Sequence, residues 1–341
     1  MKIIFIIPYY GEYPNYFQLF LNSCENNPNY EWLIVTDNKT LYNYPRNVQI
    51  LDLSWNDLCQ LFQSKFNFKI SIDRPYKLCD FRPAYGYIFQ EYIRNYDYWG
   101  YCDVDLVFGS LDHFLSPNKI CQYDKIGHLG HMSLYKNTKE INMLFMQQID
   151  NCYRYKKVFS DNSNFIFDEW NRISINHIFQ KKGKTIWFFD EFMDIYPYDD
   201  NFKRVHRNIP KIDESYGVDV INKKTSFASI ENGSTYCWSK RNKKWYKSEV
   251  AYIHFQKRNM KIDKKLIDMN RIFCIPNEFV SLNNDIIPKK YILYKNIHQF
   301  INKRKFKKNL SGMIYFIVSN TSGIRHPIRN FKMRKRGLNN D

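Results

Sequence analysis

Asp103 and Asp105 stand one residue apart inside an apolar and aromatic run, Trp99-Gly100-Tyr101-Cys102-Asp103-Val104-Asp105-Leu106-Val107-Phe108-Gly109. On an extended chain the two acids point to one side, while Val104 and Leu106 turn back toward a core. Paired carboxylates repel each other and make poor core residues. A hard divalent cation such as Mg²⁺ or Mn²⁺ relieves both problems. The alternative is a solvated strand end followed by a turn at Gly109-Ser110, and Asp-x-Asp is a common tripeptide, so its setting decides. Late in the chain, Val250–Phe255 is an apolar run carrying His254, with Lys257 and Arg258 directly behind. Alone, such a His is an ordinary structural residue. Beside a carboxylate pair, a His ligand and a phosphate-binding Lys form a coherent set. Asp168-Glu169 is a second adjacent acid pair, after Asn164–Phe167, and is open to a reading as helix N-terminal charge ahead of Trp170. Lys77, Asp80 and Arg82 precede a predicted helix that runs to Ile93, where they serve either ligand contact or helix capping and surface charge. His128 and His131, two residues apart, make a weak metal pair and read as substrate-contacting or structural.

The elements that must position these groups follow a strand-helix-strand rhythm. Lys2–Ile7 is a continuous β-branched and aromatic run, expected of a central parallel strand covered on both faces. It is too short for a signal peptide. Tyr16–Asn26 places Phe17, Phe20, Leu21 and Cys24 at helical spacing. Glu31–Thr36 and Val48–Leu53 read as strands, and Ser54–Phe66 as a helix capped by Ser54. The rhythm predicts an α/β domain with a mostly parallel sheet. Ligands bind beyond the carboxyl ends of such strands, so Pro8-Tyr9-Tyr10, Asp37 and Asp103/Asp105 are expected to share one crevice. Further on, Ile126–Tyr135 reads as a loop and a strand, Asn137–Tyr155 as a helix, and Thr185–Phe189 as a strand. Phe202–Val220 is polar and loop-like, and Thr225–Trp245 resembles a short hairpin region.

Composition bounds the function. The chain has 341 residues, 44% hydrophobic, enough for a sizeable core. No window approaches the roughly 20 apolar residues that span a bilayer. Eight cysteines occur without a Cys-x-x-Cys pair, which argues against a zinc ribbon and a dense disulfide scaffold, and reduced thiols suit a cytoplasmic protein. The formal charge is +17, yet Lys289–Asp341 carries +13 of it, so the first 288 residues are only mildly basic.

Taken in order, these features resemble a GT-A-fold, nucleotide-sugar-dependent glycosyltransferase. The segments YKLCDFRPAYG, YWGYCDVDLVFG, FDEW and YIHFQKR are similar to a group of bacterial and viral glycosyltransferases of unassigned specificity. The resemblance covers roughly residues 1–260 as a catalytic domain and leaves 261–341 as a basic, mainly helical extension. It implies transfer of a sugar from a nucleoside-diphosphate sugar, UDP favoured, to a saccharide or lipid-linked hydroxyl in surface glycan synthesis. Asp37 would bond the nucleobase or ribose, and Pro8, Tyr9 and Tyr10 would line that pocket. Asp103, Asp105 and His254 would hold Mn²⁺ or Mg²⁺, and Lys257 would face the diphosphate. Arg82, or Lys77 with Asp80, would contact donor phosphate or sugar. In an inverting course Asp168 or Glu169 would be the base. A His-x-x-Gly-x-x-Lys arrangement found in some retaining relatives is absent, which leaves the stereochemistry open.

The extension interleaves Lys and Arg with aromatic and aliphatic residues. Contact with an anionic membrane at its inner face is one reading, each basic residue near lipid contributing about 1 kcal/mol. A solvated end is the other. Competing functions are nucleic-acid or polyanion binding, suggested by a pI near 9.3, a metal-dependent phosphoesterase, and a non-catalytic binding protein. Against the first, most of the excess charge is confined to the extension and no RNP, KH or zinc-finger signature is present. Against the second, no further acids evidently converge on the pair.

Overall fold

β1 (Ile3–Pro8) is buried on both faces, and its side chains alternate into two apolar cores: Ile3, Phe5 and Ile7 enter one, Ile4 and Ile6 the other. This is the behaviour of a central strand in a covered sheet. The structure is a computed structural model that describes residues 1–169, 174–195, 204–207, 218–219, 227–241, 244–275 and 277–281. β2 (Tyr30–Thr36) and β3 (Val48–Asp52) extend the sheet on one side, and β4 (Tyr98–Cys102) lies on the other, all parallel. β5 (Leu106–Phe108) leaves this sheet. β6 (Lys125–Leu129) and β7 (Met132–Lys136) form a hairpin with β7 antiparallel to β4, and β8 (Ile186–Trp187) closes the far edge. The strand order is β3-β2-β1-β4-β7-β6-β8. The domain is therefore α/β with a mostly parallel sheet, as the sequence rhythm predicts.

Helices cover both faces. α1 (Phe17–Glu25) buries Phe17, Phe20, Leu21 and Cys24 in the first core, the residues singled out by their spacing. α2 (Trp55–Ser64) buries Leu58 and Phe62 in the second, and the Ser54 hydroxyl caps it by accepting from the Asp57 amide at 3.1 Å. The single helix expected over 137–155 is instead broken. Lys139–Asn142 and Leu144–Met146 are short turns, Asp150 and Asn151 adopt left-handed backbone angles, and a new helix starts at Arg154. Two consecutive left-handed residues reverse the chain, which apolar spacing alone does not reveal.

Two further sheets follow. β9 (Met193–Ile195), β10 (Arg204–Arg207) and β11 (Val218–Asp219) make one with β5, so the polar stretch read as a loop holds two strands. The hairpin region is a meander of β12 (Phe227–Glu231), β13 (Ser234–Arg241) and β14 (Lys244–Val250). β15 (Tyr252–His254) then sits between β9 and β5, and β16 (Arg271–Ile275) and β17 (Glu278–Ser281) join the meander through β12. β16 thus pairs with the preceding β12 and β17 with β16, although the sequence reading places both in the extension. The basic stretch 289–341 lies outside the described residues. No helix among the described residues is long and apolar enough to cross a membrane.

The packing that seats β4 is tight at Gly86, where an added Cβ would fall 2.3 Å from the Trp99 ring. That ring stacks on Tyr135 at 4.5 Å and 6° and cannot swing aside. Gly86→Ala should therefore destabilise the fold by about 1–3 kcal/mol, read as a lower melting temperature in a thermal unfolding curve; an unchanged curve would contradict this packing.

Candidate functional site

The Asp-x-Asp pair sits at the crossing between two sheets rather than on one extended strand. β4 ends at Cys102 in the large sheet, and β5 begins at Leu106 in the second. Val104 turns into the first core, as its alternation predicts. The crossing is pinned by backbone bonds: the Asp103 amide donates to the His131 carbonyl at 2.9 Å, and the Phe255 amide donates to the Asp105 carbonyl at 3.0 Å. Both carboxylates still meet one imidazole. His254 Nε2 lies 3.8 Å from Asp103 Oδ2 and 3.5 Å from Asp105 Oδ1.

β15 delivers that imidazole. His254 is opposite Leu106 on β5 and opposite Asp194 on β9. Its Nδ1 is 3.0 Å from Asp194 Oδ1, which also accepts from Gln256 Nε2 at 2.5 Å. Burial opposes charge on His254, but the Asp105 and Asp194 carboxylates overcome it and push its pKa up to about 10. Burial likewise opposes ionisation of Asp105, and His254 with the Lys257 amide holds its pKa below the ordinary value. After β15 the chain turns through Gln256 and Lys257, both left-handed, with φ of 54° and 55°. That turn aims the Lys257 amide at Asp105 Oδ2 and leaves the Lys257 ammonium 4.6 Å from the centre of the Tyr76 ring.

A cavity of about 310 Å³ opens over these groups, of the size that small-molecule sites occupy. Pro8, Tyr9 and Tyr10 line it together with Arg82, Asp103, Asp105 and Lys257. Tyr9 stacks on Tyr13 at 4.8 Å, and Tyr10 bonds the Leu53 carbonyl at 2.9 Å, so both rings are fixed. Burial, with Asp105 and Asp103 nearby, pushes the Tyr9 pKa up to about 12. Asp37 ends β2 nearby but is exposed and stands outside the cavity lining.

Other expected donor contacts are placed differently. Lys77 is fully buried, and its three ammonium donors go to Asp80 Oδ2 at 2.8 Å, the Val158 carbonyl at 2.8 Å and the Ser163 carbonyl at 2.7 Å. Asp80 also accepts from the amides of Phe165 and Phe167. The pair anchors the 158–167 segment, because a buried ammonium needs all its donors satisfied. Arg82 does face the cavity, yet its guanidinium is already shared. It donates to Asp103 Oδ1, to Asp168 Oδ2 at 2.9 Å and to the Gly130 carbonyl at 2.5 Å, and lies over the Tyr101 ring. Asp168 is buried and Glu169 half-buried. A Cβ on Gly130 would come within 2.8 Å of both acids. Burial and Glu169 push the Asp168 pKa up to about 7 against the pull of Arg82.

Among the described residues, two groups of side chains could hold a metal ion, Asp103/Asp105/His254 and His131/Asp194/His254. The first fits a divalent cation. Its donors are two carboxylates and an imidazole, a mixed set suited to Mn²⁺ and tolerable for Mg²⁺. Asp105 Oδ1 is buried and accepts no hydrogen bond among the described residues. Asp194 was missed by the sequence reading. Its only signal is a lone carboxylate inside the apolar run Phe192-Met193-Asp194-Ile195.

The fold and site define an α/β domain with an acidic, imidazole-bearing crevice where its sheets meet. The chain belongs to the family of unknown function DUF6625, whose model matches residues 5–283. No curated protein matches it. Among solved structures it is similar to the galactosyltransferase LgtC in complex with donor and acceptor sugar analogues, at 11% identity over 57% of this chain and 75% of that one, with a TM-score of 0.32. An active-site mutant of LgtC gives the same identity and coverage with a TM-score of 0.33. A likeness at this level carries no functional argument.

The raised Asp168 pKa has a signed consequence. The folded state binds the proton more tightly than the unfolded chain, so this contribution to stability is full below the ordinary carboxylate pKa of 3.8 and is lost as pH rises through about 7. Asp168→Asn should flatten that part of the stability profile, measured by urea unfolding at pH 5 and pH 8. Identical pH slopes in the two proteins would contradict the assignment.

Proposed function

We propose that this protein is a metal-dependent glycosyltransferase. It moves a sugar from a nucleoside-diphosphate sugar, a UDP-sugar first among candidates, to the hydroxyl of a saccharide or lipid-linked acceptor, in the synthesis of a surface glycan. The observation that supports this reading is the convergence of Pro8-Tyr9-Tyr10, Asp103/Asp105 and Lys257 onto one cavity, with the buried His254 imidazole against the two carboxylates. A nucleotide has a flat base at one end and a charged diphosphate at the other. The cavity offers fixed tyrosine rings together with carboxylates and the Lys257 cation.

Asp103, Asp105 and His254 would hold Mn²⁺ or Mg²⁺, which when bound supplies positive charge to the departing diphosphate. Lys257, exposed at the mouth, adds a second cation on the same leaving group. Asp37, exposed just after β2, would contact the ribose or base. Arg82 keeps Asp103 in place and leaves the donor phosphates to Lys257. In an inverting course the acceptor hydroxyl oxygen bonds to the anomeric carbon as the bond from that carbon to the diphosphate oxygen breaks. The hydroxyl proton passes to a carboxylate, Asp168 or Glu169, and a pKa near 7 suits Asp168 to accept it.

Calorimetry with UDP-, GDP-, CMP- and dTDP-sugars in the presence of Mn²⁺ tests the reading. At least one donor should bind, EDTA should abolish the metal-dependent part, and Asp105→Ala should weaken it by more than about tenfold. No binding of any donor would overturn the proposal. The basic stretch 289–341 is proposed to touch anionic membrane, on its charge of +13. Deleting it should reduce binding to anionic liposomes and leave donor binding intact; equal liposome binding would remove that role.

A further inference from the structure

Asp194 is 1% exposed and does not line the cavity over the site, yet among the described residues it is the closest carboxylate to the imidazole at the centre of the site. We infer that Asp194 is a positioning residue for His254, and that the site takes one divalent cation, between Asp103, Asp105 and His254, with Asp194 outside its coordination shell. The inference rests on the proposed metal site and adds which groups touch the ion and how many ions there are.

The argument is one of ring chemistry. Without an ion the ring is the imidazolium that its carboxylate neighbours favour; a bound ion takes the place of one ring proton, and the neutral imidazole that remains has one nitrogen that donates a proton and one that offers a lone pair. His254 Nδ1 is 3.0 Å from Asp194 Oδ1, and Nε2 faces Asp105 Oδ1 at 3.5 Å and Asp103 Oδ2 at 3.8 Å. If Nδ1–H donates to Asp194, the Nε2 lone pair points into the gap between the two other carboxylates. Both nitrogens are then used, and Asp105 Oδ1, which accepts no hydrogen bond, gains a partner in the ion. In the rival arrangement the ion sits among His131, Asp194 and His254. It takes the Nδ1 lone pair and leaves the Asp103/Asp105 pair facing a single N–H. Both arrangements together would need two lone pairs from one neutral ring, so two ions cannot share it.

Backbone pairing fixes the geometry. β9 and β15 run parallel with Asp194 beside His254 in register, so the acid reaches the ring from the neighbouring strand. Gln256 Nε2 bonds the same Asp194 oxygen at 2.5 Å and holds its rotamer. Outer-shell carboxylates of this kind set the tautomer and orientation of metal-bound histidines.

Mn²⁺ alone is the probe, titrated into the full chain by calorimetry and followed by electron paramagnetic resonance. Wild type should bind one ion. Asp194→Ala should still bind one, with an imidazole nitrogen coupling retained in pulsed spectra, but about 10–100-fold more weakly. Asp194→Asn keeps an acceptor oxygen for Nδ1–H and should lose less; if the alanine variant does not fold, judged by its metal-free melting curve, the reduced affinity of Asp194→Asn carries the test. Equal affinity in wild type and both variants, or a loss in Asp194→Ala as complete as in Asp105→Ala, would overturn the positioning role. A wild-type stoichiometry of two would overturn the single site. If wild type binds no Mn²⁺, the metal reading itself fails with it, whereas unchanged Asp194 variants beside an inactive Asp105→Ala defeat this inference alone.

Discussion

Four carboxylates meet where the large sheet and the second sheet join, and their mutual repulsion is the constraint that the surrounding structure answers. Asp105, Asp168 and Asp194 are buried and Asp103 is half-buried. Two like charges 4 Å apart cost about 4 kcal/mol at an effective dielectric of 20. The fold divides the four between two cations. Arg82 bridges Asp103 and Asp168, and His254 lies between Asp105 and Asp194. Removing either cation would strand two acids in a poorly solvated place, which costs more than the lost attraction alone.

That division explains the topology around the site. Arg82 comes from the short helical segments before β4, Asp168 from the segment beyond α2 and the broken helix, and Asp194 and His254 from neighbouring strands of the second sheet. Lys77 and Asp80, one turn before Arg82, tie that segment to 158–167 with a buried ion pair. Their role is to hold the chain on which Arg82 and Asp168 stand. The crevice is thus assembled from parts anchored elsewhere, the arrangement that keeps a binding constellation fixed.

Legibility in the sequence followed locality. β1, β2, α1 and α2 were readable because each carries its own signal: a continuous β-branched run, a helical stripe, a serine cap. Asp103, Asp105, His254 and Lys257 were readable because each stands at the end of an apolar run, although β4 and β15 lie in different sheets and Asp37, after β2, stays outside the cavity lining. Lys77 and Asp80 show the limit. Spacing of three residues is compatible with a surface pair, a cap or a ligand contact, and only burial separates these. Asp194 shows it more sharply, since its partner is sixty residues away on a strand whose register no local pattern specifies. The third sheet was half seen for the same reason: β12 to β14 are local hairpins, whereas β16 returns to β12 across more than thirty residues.

The turn at Gln256-Lys257 shows how the site uses strain. Two successive non-glycine residues in the left-handed region cost about 1–2 kcal/mol each, and glycines would remove that cost. Glycine at 256 would also remove the amide that bonds Asp194, and glycine at 257 the ammonium over Tyr76. The turn directs the Lys257 amide inward, to the buried Asp105, and the same residue's ammonium outward, to the cavity mouth. An extended continuation of β15 would alternate side chains across the sheet and carry that amide on along the strand, away from Asp105. The strained conformation is therefore what lets one residue act on both the interior carboxylate and whatever enters the cavity, and it is held there by the hydrogen bonds of Asp105 and Asp194 on either side of His254.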